Sequence, residues 1–495
     1  MIGGPRAIWV NVSAFGARPG TEVDKVDIGP LIRRRFEICT NLTKEHSWAA
    51  DKVPEIANTF WMGNEILNEN LQLQSTAQTG PQLDHPLCRP RFTNISCKNH
   101  QYEWTNNYNK ILLIDYVNKC LISCGTLYQG VCEKRSLENV TQVLSNNSYP
   151  NCVVNVNKSS YTVAFIGPGP AINSSSNVLY VANTFYDHLF ARIPSVGSRK
   201  LSDFTLLYDD VVEEFTQSYI RFDHSRLSKF LVHYVYGFSS EGYSYILARQ
   251  PRSPDDKDYR SVVVSVCQND KKYWSYIEVP LSCRHGDQEY NLLQAAFMDS
   301  AGRNLALSLG VSLQSDVLYS VFSVGEPDSD RPTSKSALCI FPVSSIRRVI
   351  ADNRRKCFNG EGKYGGGHLA NPQQCGKNTE HVIDENYCGE VSANKPQIGT
   401  IPIVAEAVVT FPEESTAVVT AVGVDITHEY TVAFVGTANG HLKKISLDSN
   451  TTANVYESFP VAPGEAFKSD VSFDEEGEHL YLLTTKKVSF LVCTF

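Results

Sequence analysis

Fourteen cysteines are the chemically most versatile side chains of this sequence. Cys88 and Cys97 lie nine positions apart, and Cys124 and Cys132 lie eight positions apart with two glycines between them. Such spacings suit short loops closed by disulfide bonds, which persist mainly in oxidising compartments. Zinc binding is the other chemistry open to cysteine, but the sequence has no Cys-x₂-Cys pair. The pair Cys120 and Cys124 is not matched by a second pair of His or Cys at ligand spacing. The cysteines therefore predict disulfides, and we expect no metal site.

The motifs of nucleotide binding and of hydrolysis are missing from the sequence. Residues 359–368 read NGEGKYGGGH, but Tyr364 follows Lys363 where a phosphate-binding loop needs Ser or Thr to coordinate magnesium. Residues 165–171 read FIGPGPA, and their prolines occupy positions where a dinucleotide-binding turn needs free backbone N–H groups. HExxH and GxSxG motifs are also absent. The sequence therefore predicts no cofactor, no catalytic residue and no enzymatic activity.

Composition and glycosylation motifs favour an extracellular β protein. Asp plus Glu number 53 and Lys plus Arg number 45, so the formal charge of −8 argues against nucleic-acid and anionic-membrane partners. The chain has 23 Phe and 24 Tyr but only three Met, and aromatic residues favour strands. Eight Asn-x-Ser/Thr sequons predict N-glycosylation at Asn11, Asn41, Asn94, Asn139, Asn146, Asn157, Asn173 and Asn450.

Targeting signals do not accompany this extracellular composition. No stretch reaches the roughly 18 uncharged apolar residues that a membrane span needs, and residues 1–30 lack the apolar segment of a secretory signal. We interpret the chain as a fragment, an engineered piece or the product of an incompletely predicted gene. The extracellular interpretation is kept because the cysteines and sequons provide the broader evidence.

Short β-type runs recur from about residue 108 to the end, separated by turns rich in Gly, Asn, Asp and Ser. One group reads as strand, hairpin, strand, hairpin, strand over residues 230–238, 243–250, 260–267 and 274–283. Four antiparallel strands make one blade of a propeller, so the pattern favours a β-propeller over a two-sheet sandwich. Asn439-Gly440 predicts a hairpin turn in a later group. Residues 344–357 are the one segment that reads as a helix of more than three turns.

Several phrases resemble the sema domain of plexins, the cell-surface receptors for semaphorins, and especially the A-type plexins. They are TGPQLDHPLC at 79–88, CGTLYQGVC at 124–132, KSALCIFPV at 335–343 and CFNGEGK at 357–363. The resemblance implies an all-β fold, a seven-bladed β-propeller with a disulfide-rich insertion. It places the sema domain at residues 59–493 and leaves 1–58 as a poorly matched N-terminal segment. In this family an N-terminal strand completes the last blade.

The resemblance also implies a disulfide pattern. The pairs are Cys88–Cys97, Cys124–Cys132, Cys267–Cys388, Cys283–Cys339 and Cys357–Cys375. The last three would hold the insertion against the blades. Four cysteines lie outside the match, and their pairing stays open: Cys39, Cys120, Cys152 and Cys493.

The implied binding face lies within residues 207–230, which match the plexin passage on the semaphorin-facing edge of the propeller. Glu214 and Phe215 occupy the positions of an acidic residue and the phenylalanine that follows it in that passage. The alternative is that Phe215 is a strand residue facing the core and that the acidic residues form an ordinary solvated run. Upstream, Ala191 stands where plexins often carry an acidic residue.

By resemblance, the chain is the extracellular ligand-binding domain of a plexin-like receptor that binds the sema domain of semaphorins in cell-guidance signalling. Receptor homo-oligomerisation would be a second interaction. The receptor would reach the membrane only through regions absent from this chain, on the extracellular face of the plasma membrane. Two alternatives are a semaphorin-like ligand and a propeller glycan hydrolase. The first is disfavoured because VHYVYGFSSEG at 232–242 lacks the Arg-Glu step of the semaphorin strand.

Overall fold

The computed structural model describes residues 7–8, 42–47, 65–68, 73–85, 101–137, 139–144, 152–170, 177–184, 193–210, 216–221, 230–253, 256–365, 373–378, 381–391, 393–411, 417–427, 429–473, 479–484 and 487–492. Strands dominate these residues, and two α-helices interrupt them. Within the described ranges, neither helix has the length and apolar character needed to cross a bilayer.

Short strands occupy the first part of the chain. They are β1 (Ala7–Ile8), β2 (Leu42–Ser47), β3 (Glu65–Asn68), β4 (Leu73–Thr76), β5 (Gln82–Asp84), β6 (Glu103–Thr105), β7 (Asn109–Asp115), β8 (Cys120–Gly125) and β9 (Cys132–Ser136). The next strands are β10 (Thr162–Pro168), β11 (Asn177–Asn183), β12 (Val196–Lys200), β13 (Asp209–Asp210), β14 (Thr216–Gln217) and β15 (Tyr219–Ile220).

Longer strands and both helices follow. The central elements are β16 (His233–Ser240), β17 (Tyr243–Pro251), β18 (Tyr259–Cys267), β19 (Ile277–His285), β20 (Gln288–Tyr290), β21 (Leu292–Asp299), α1 (Arg303–Leu309), β22 (Val317–Gly325), β23 (Pro332–Pro342) and α2 (Val343–Phe358). The last are β24 (Lys363–Tyr364), β25 (Gln373–Gln374), β26 (Gln397–Ile398), β27 (Ile403–Val404), β28 (Ala407–Thr410), β29 (Val419–Thr427), β30 (Tyr430–Thr437), β31 (His441–Leu447), β32 (Ala453–Pro460), β33 (Phe467–Phe473), β34 (His479–Thr484) and β35 (Lys487–Val492).

Five antiparallel sheets have the four-stranded pattern of a propeller blade. The first blade is β10-β11-β12-β15, the second β16-β17-β18-β19 and the third β21-β22-β23-β28. The fourth is β29-β30-β31-β32, and the fifth is β33-β34-β35 completed by β2. The innermost strands β10, β16, β21, β29 and β33 pack against one another in that order. The all-β propeller expectation is thereby met, with strands in the predicted groups.

The expectation of seven blades is wrong, because the described residues form five four-stranded blades. The strands β7, β8 and β9 form a sheet of only three strands, and so do β1, β3 and β4. After β9 the described chain makes two isolated bridges, Arg135 with Val143 and Val131 with Cys152, instead of a fourth strand. The number seven came from the family resemblance, whereas a blade needs four paired strands, and the early strands of this chain are short.

The hydrophobic core lies between neighbouring sheets. Between the second and third blades, Tyr245, Leu247 and Val279 pack with Leu293 and Phe322, and each of these side chains is fully buried. Similar clusters lie between the first and second blades, the third and fourth, and the fourth and fifth. Each large apolar side chain buried in this way stabilises the fold by about 1.5–3 kcal/mol before entropy losses. The blades are therefore held to one another by side-chain packing.

The N-terminal strand β2 closes the fifth blade. It pairs antiparallel with β35, with Leu42 opposite Leu491 and Ser47 opposite Lys487. This pairing agrees with the expectation that an N-terminal strand completes the last blade. The strand lies inside the segment 1–58, whose sequence gave no strand pattern, because LTKEHS is mostly polar.

An insertion of residues 343–406 follows β23 and begins with α2, close to the predicted helix at 344–357. Its strands β26 and β27 pair in parallel with β19 and extend the second blade's sheet. Disulfides Cys267–Cys388 and Cys357–Cys375 hold the insertion, and Cys283–Cys339 joins the second and third blades. Cys124–Cys132 joins β8 and β9. The expected pair Cys88–Cys97 lies outside the described residues, as do Cys39 and Cys493.

Candidate protein-interaction surface

The predicted interface residues Glu214 and Phe215 lie outside the described residues, but both flanks are described. Upstream, β13 ends at Asp210, and downstream β14 begins at Thr216. The two strands pair antiparallel, with Asp209 opposite Gln217 and Asp210 opposite Thr216. In the sequence, Glu214 and Phe215 lie between these two paired strands. We call β13 and β14 the hairpin base.

Hydrogen bonds hold the hairpin base in place. The backbone N–H of Tyr208 donates to Ser218 Oγ at 3.0 Å, and the N–H of Ser218 donates to the Tyr208 carbonyl at 3.1 Å. The hydroxyl of Tyr219 donates to Asp209 Oδ1 at 2.7 Å. Burial raises the pKa of the Tyr219 hydroxyl, and the bond to Asp209 acts in the same direction. The exposed Asp209 carboxylate is therefore presented in a fixed orientation.

A cation lies beside the same tyrosine. The guanidinium carbon of the exposed Arg221 is 4.6 Å from the centroid of the Tyr219 ring. Cations attract the face of an aromatic ring, and the interaction contributes about 0.5–1 kcal/mol at exposed sites. The edge of the first blade thus offers a carboxylate at the hydroxyl of one buried tyrosine and a guanidinium near its ring.

The hairpin base is anchored to the first blade. The N–H of Leu207 donates to the Ser198 carbonyl at 2.9 Å, and the N–H of Ser198 donates to the Ser218 carbonyl at 3.0 Å. Beside them the buried Arg199 donates from Nη1 to the Phe204 carbonyl at 2.8 Å. Burial lowers the pKa of Arg199 to about 10, so this guanidinium stays charged at neutral pH. These contacts make the surface part of a rigid sheet.

Two further segments reach the same region, and both come from beyond the first blade. The turn between β18 and β19 places Lys271 Nζ 5.7 Å from the ring centroid of Tyr208, next to the hairpin base. In that turn, Lys272 Nζ is 4.4 Å from the ring centroid of Trp274. From the insertion, Lys395 Nζ approaches the same ring to 3.5 Å. We call Lys272, Trp274 and Lys395 the Trp274 platform.

Sequence reasoning did not identify the Trp274 platform. It placed Trp274 at the start of the strand 274–283, whereas β19 begins at Ile277 and leaves the tryptophan in the turn. The available signal was the run KKYW at 271–274, where adjacent lysines precede aromatic residues. Lys395 lies more than a hundred residues away along the chain, so only the fold brings it to the ring.

The insertion is fixed to the second blade by arginines of α2. Arg354 is 1 % exposed, and it donates from Nη1 to the Tyr387 carbonyl at 2.9 Å and from Nη2 to the Ser275 carbonyl at 2.6 Å. Arg347 pairs with Glu241 at the β16–β17 turn. Because Ser275 lies in the turn that carries Trp274, Arg354 links the helix, the insertion and the platform.

Three of the eight sequons fall within the described residues. Asn139 is exposed, and its Oδ1 accepts hydrogen bonds from the N–H and the hydroxyl of Thr141 at 3.0 and 2.7 Å. Asn157 and Asn450 are half-buried. The other five sequons lie outside the described residues: Asn11, Asn41, Asn94, Asn146 and Asn173. Glycosylation at all eight therefore stays a prediction.

The chemistry that this surface offers is recognition. Over the described part of the chain, no group of three or more His, Cys, Asp or Glu side chains is arranged to hold a metal ion. What converges instead is an exposed carboxylate at Asp209, cations at Arg221 and Lys271, and the indole of Trp274. Aromatic and arginine side chains with a polar surround are typical of energetically important positions in protein interfaces.

Comparisons with known proteins give the family. Residues 293–474 match the model of the Sema domain. Plexin A3 of Danio rerio is 30% identical over 520 aligned residues, which cover 98% of this chain and 27% of that protein. A solved structure of the full extracellular region of Plexin A4 superposes with a TM-score of 0.75 at 31% identity, covering 86% of this chain and 44% of that one.

A more distant solved structure shares the fold. Drosophila Plexin A in complex with Semaphorin 1b matches with a TM-score of 0.53 and 15% identity, over 87% of this chain and 82% of that one. This chain spans about a quarter of the length of the curated relative Plexin A3, of which it covers 27%. The resemblance expected from the sequence is confirmed, and this chain is a sema-domain relative of the A-type plexins.

Proposed function

We propose that this chain is the ligand-binding domain of a plexin-like guidance receptor and that it binds the sema domain of a semaphorin. The observation that carries the proposal is the relationship to A-type plexins, which extends over 98% of the chain for Plexin A3. Solved Drosophila Plexin A is in complex with Semaphorin 1b, which makes a semaphorin the natural partner to test. Drosophila Semaphorin 1a shares the fold at only 16% identity, against 31% for Plexin A4, so we propose a receptor rather than a semaphorin-like ligand.

The proposed binding face comprises Glu214 and Phe215 together with the described hairpin base. The exposed Asp209 carboxylate and Arg221 guanidinium, which both contact the buried Tyr219, would form part of its polar rim. A stable protein interface of ordinary size buries about 1,600 Å² in total, so the face would extend beyond the hairpin to neighbouring loops. The adjacent turn with Lys271 is in position to contribute.

The proposed location is the extracellular face of the plasma membrane, and the protein is proposed to act without catalysis. The four disulfides among the described residues support an oxidising compartment. Binding would act by changing populations, either favouring association of two receptors or releasing a resting arrangement of the receptor. N-glycosylation of the eight sequons belongs to the same proposal.

The decisive experiment is surface-plasmon resonance of the secreted chain against a panel of semaphorin ectodomains. Phe215→Arg is compared with Leu307→Arg, a matched control at a 73% exposed apolar position on α1. If Phe215 lies at the centre of the interface, its replacement weakens binding at least about 30-fold, as expected for a hot spot. Leu307→Arg should bind like the unaltered chain.

Two results would contradict the proposal. One is a folded chain that binds none of the semaphorins, and the other is Phe215→Arg binding as tightly as Leu307→Arg. Thermal melting of both variants tests the alternative that Phe215 faces the core, because a buried arginine would lower the melting temperature strongly. If Phe215→Arg lowers the melting temperature strongly, Glu214→Lys replaces it in the binding measurement. This variant reverses the charge of the neighbouring residue, and weaker semaphorin binding would show that this face takes part.

A further inference from the structure

Two asparagine-glycine steps occur in this sequence, and the fold places them in different settings. Asn359-Gly360 directly follows α2, at the start of the segment NGEGKYGGGH that matched no nucleotide-binding motif. Asn439-Gly440 lies in the turn between β30 and β31. Because glycine has no side chain, its backbone nitrogen can approach the amide of the preceding asparagine. The two steps therefore share the same local chemistry and differ in what surrounds them.

The chemistry open to both steps is deamidation within the chain. The backbone nitrogen of the glycine attacks Cγ of the asparagine, gives up its proton and expels the side-chain nitrogen as ammonia, which leaves a succinimide ring. The attack is intramolecular, so proximity favours it. Water then opens the ring at either carbonyl and gives aspartate, or isoaspartate, in which the backbone runs through the former side chain and gains a carbon. Water is the only co-reactant.

Asn359 is exposed and lies where α2 ends. Its backbone N–H donates to the Arg355 carbonyl at 2.9 Å, and the N–H of Gly360 donates to the Cys357 carbonyl at 2.8 Å. The nearest atoms to a Cβ built on Gly360 belong to Lys377, at 3.5 Å and beyond, so a ring has room to close. The end of a helix opens at a small free-energy cost, and this opening frees the attacking nitrogen.

The turn at Asn439 and Gly440 is held more firmly. Asn439 Oδ1 accepts from the Thr437 hydroxyl at 2.7 Å, which fixes the side-chain amide. Gly440 is buried, and its N–H donates to the Thr437 carbonyl at 3.1 Å. Its carbonyl accepts from the N–H groups of Val461 and Ala462 at 2.9 and 3.0 Å. Ring closure there would break several bonds of the fourth blade at once, which requires a much larger opening.

We infer that Asn359 is a site of spontaneous deamidation, which converts it to aspartate and isoaspartate in the folded protein, whereas the fold protects Asn439. Asn359 reacts when the last turn of α2 opens, and Asn439 reacts only when the β30–β31 turn separates from the chain after β32. The modification belongs to the insertion, and it does not depend on the proposed binding of a semaphorin.

The modification would act on the loop closed by Cys357–Cys375. The Gly360 carbonyl accepts from Gln374 Nε2 at 2.9 Å, and the N–H of Glu361 donates to the Lys356 carbonyl at 3.0 Å. The additional backbone carbon of isoaspartate displaces Gly360 and Glu361 relative to α2, and hydrogen bonds weaken steeply once their geometry is lost. Deamidation would therefore loosen the junction of α2 with the disulfide loop.

The first test follows both conversions by peptide mapping and mass spectrometry in the whole folded chain at pH 7.4 and 37 °C. We expect Asn359 to convert at least about tenfold faster than Asn439, because it needs the smaller opening. The reduced chain unfolded in guanidinium chloride is the reference, where the two rates should agree within about threefold. Equal rates in the folded chain, faster conversion of Asn439, or an Asn359 that converts only after unfolding would overturn the inference.

The second test measures the consequence by hydrogen–deuterium exchange of fresh and aged protein. Asn359→Gln is aged in parallel as the control, because its longer side chain does not form the five-membered ring. We expect faster exchange after ageing in residues 356–364 and 373–378 of the unaltered chain, and no change there in Asn359→Gln. If Asn359 has become isoaspartate and these residues exchange as before, the inferred loosening of the disulfide loop is wrong. Equal changes in both proteins would contradict it as well.

Discussion

The second and fourth blades each have four antiparallel strands, but they differ at the outer strand. In the fourth blade the outer strand β32 is the last of its sheet within the described residues, and its exposed side chains include Val455 and Tyr456. In the second blade the corresponding strand β19 is mostly buried, because β26 and β27 of the insertion pair with it. The outer edge of the fourth blade thus has no added strand among the described residues. The outer edge of the second blade carries added strands, two disulfides and the Trp274 platform.

The blade and the interaction surface are therefore stabilised by different means. Strand pairing and inter-blade packing hold the fourth blade, whereas the insertion depends on a few long-range connections to the second. An unpaired edge is a place where other chains can add, and covering it with the insertion removes that hazard while creating a new surface. Breaking the connections should therefore affect the insertion more than the blade.

The largest effect is expected from the double variant Cys267→Ser/Cys388→Ser. This disulfide spans 121 residues, and closing a loop of that length stabilises the folded state by roughly 4–5 kcal/mol in the chain-entropy model. Removing Cys357–Cys375, which spans 18 residues, should cost about 3 kcal/mol. Urea unfolding of both double variants measures the difference. A larger loss from Cys357–Cys375 would contradict the view that the long connection holds the insertion.

A smaller but still substantial effect is expected from Arg354→Met. The substitution removes the Arg354 donor from the Ser275 carbonyl and from the Tyr387 carbonyl, which keeps only the hydroxyl of Tyr243, and it should lower the free energy of unfolding by about 3 kcal/mol. Arg348→Met is the matched control on the same helix, because Arg348 is exposed, and its change should stay below about 0.5 kcal/mol. Chemical denaturation compares the two, and equal losses would show that Arg354 does not link helix and blade.

The smallest effect is expected within the fourth blade, from Glu457→Gln. Lys444 is fully buried, and its Nζ lies 2.8 Å from Glu457 Oε2. Burial lowers the pKa of Lys444, and Glu457 partly opposes this, so the substitution lowers that pKa further. We expect a loss of roughly 1–2 kcal/mol at pH 7, since Glu457 itself is partly exposed.

The free energy of unfolding lost in Glu457→Gln should depend on pH, because it depends on the charge of Lys444. Below the folded pKa of Lys444 the ammonium is charged and needs the carboxylate, so the loss is greatest on the acidic side of that pKa. As the pH rises through the folded pKa toward the ordinary lysine value of 10.5, the amine becomes neutral and the loss should shrink. Urea unfolding of the unaltered chain and of Glu457→Gln at pH 7 and 9.5 measures this change in the loss. A loss that grows with pH would contradict the ion-pair explanation.

Local patterns predicted the regular parts of the fold well. The strands of the second blade and the helix α2 follow from apolar runs, turn residues and helical periodicity within short windows. The cysteine pairs Cys267–Cys388 and Cys283–Cys339 came from family resemblance, since spacing alone leaves many pairings open.

Features that depend on distant residues could not be predicted in the same way. The strand β2 is polar and is a strand because β35 pairs with it, more than four hundred residues later. The blade number was wrong because a local strand pattern does not reveal whether a fourth strand joins β9. Lys395 reaches Trp274 only once the insertion has docked on the second blade. Glu214 and Phe215 stay sequence-based predictions.

Hydrogen–deuterium exchange of the chain with and without a bound semaphorin ectodomain tests most directly whether the proposed binding face around the hairpin base is the binding site. We expect slower exchange on binding in residues 207–221 and in the turn 268–276, with no change in β31 and β32 of the fourth blade. Protection confined to the fourth blade, or binding without protection of residues 207–221, would contradict it.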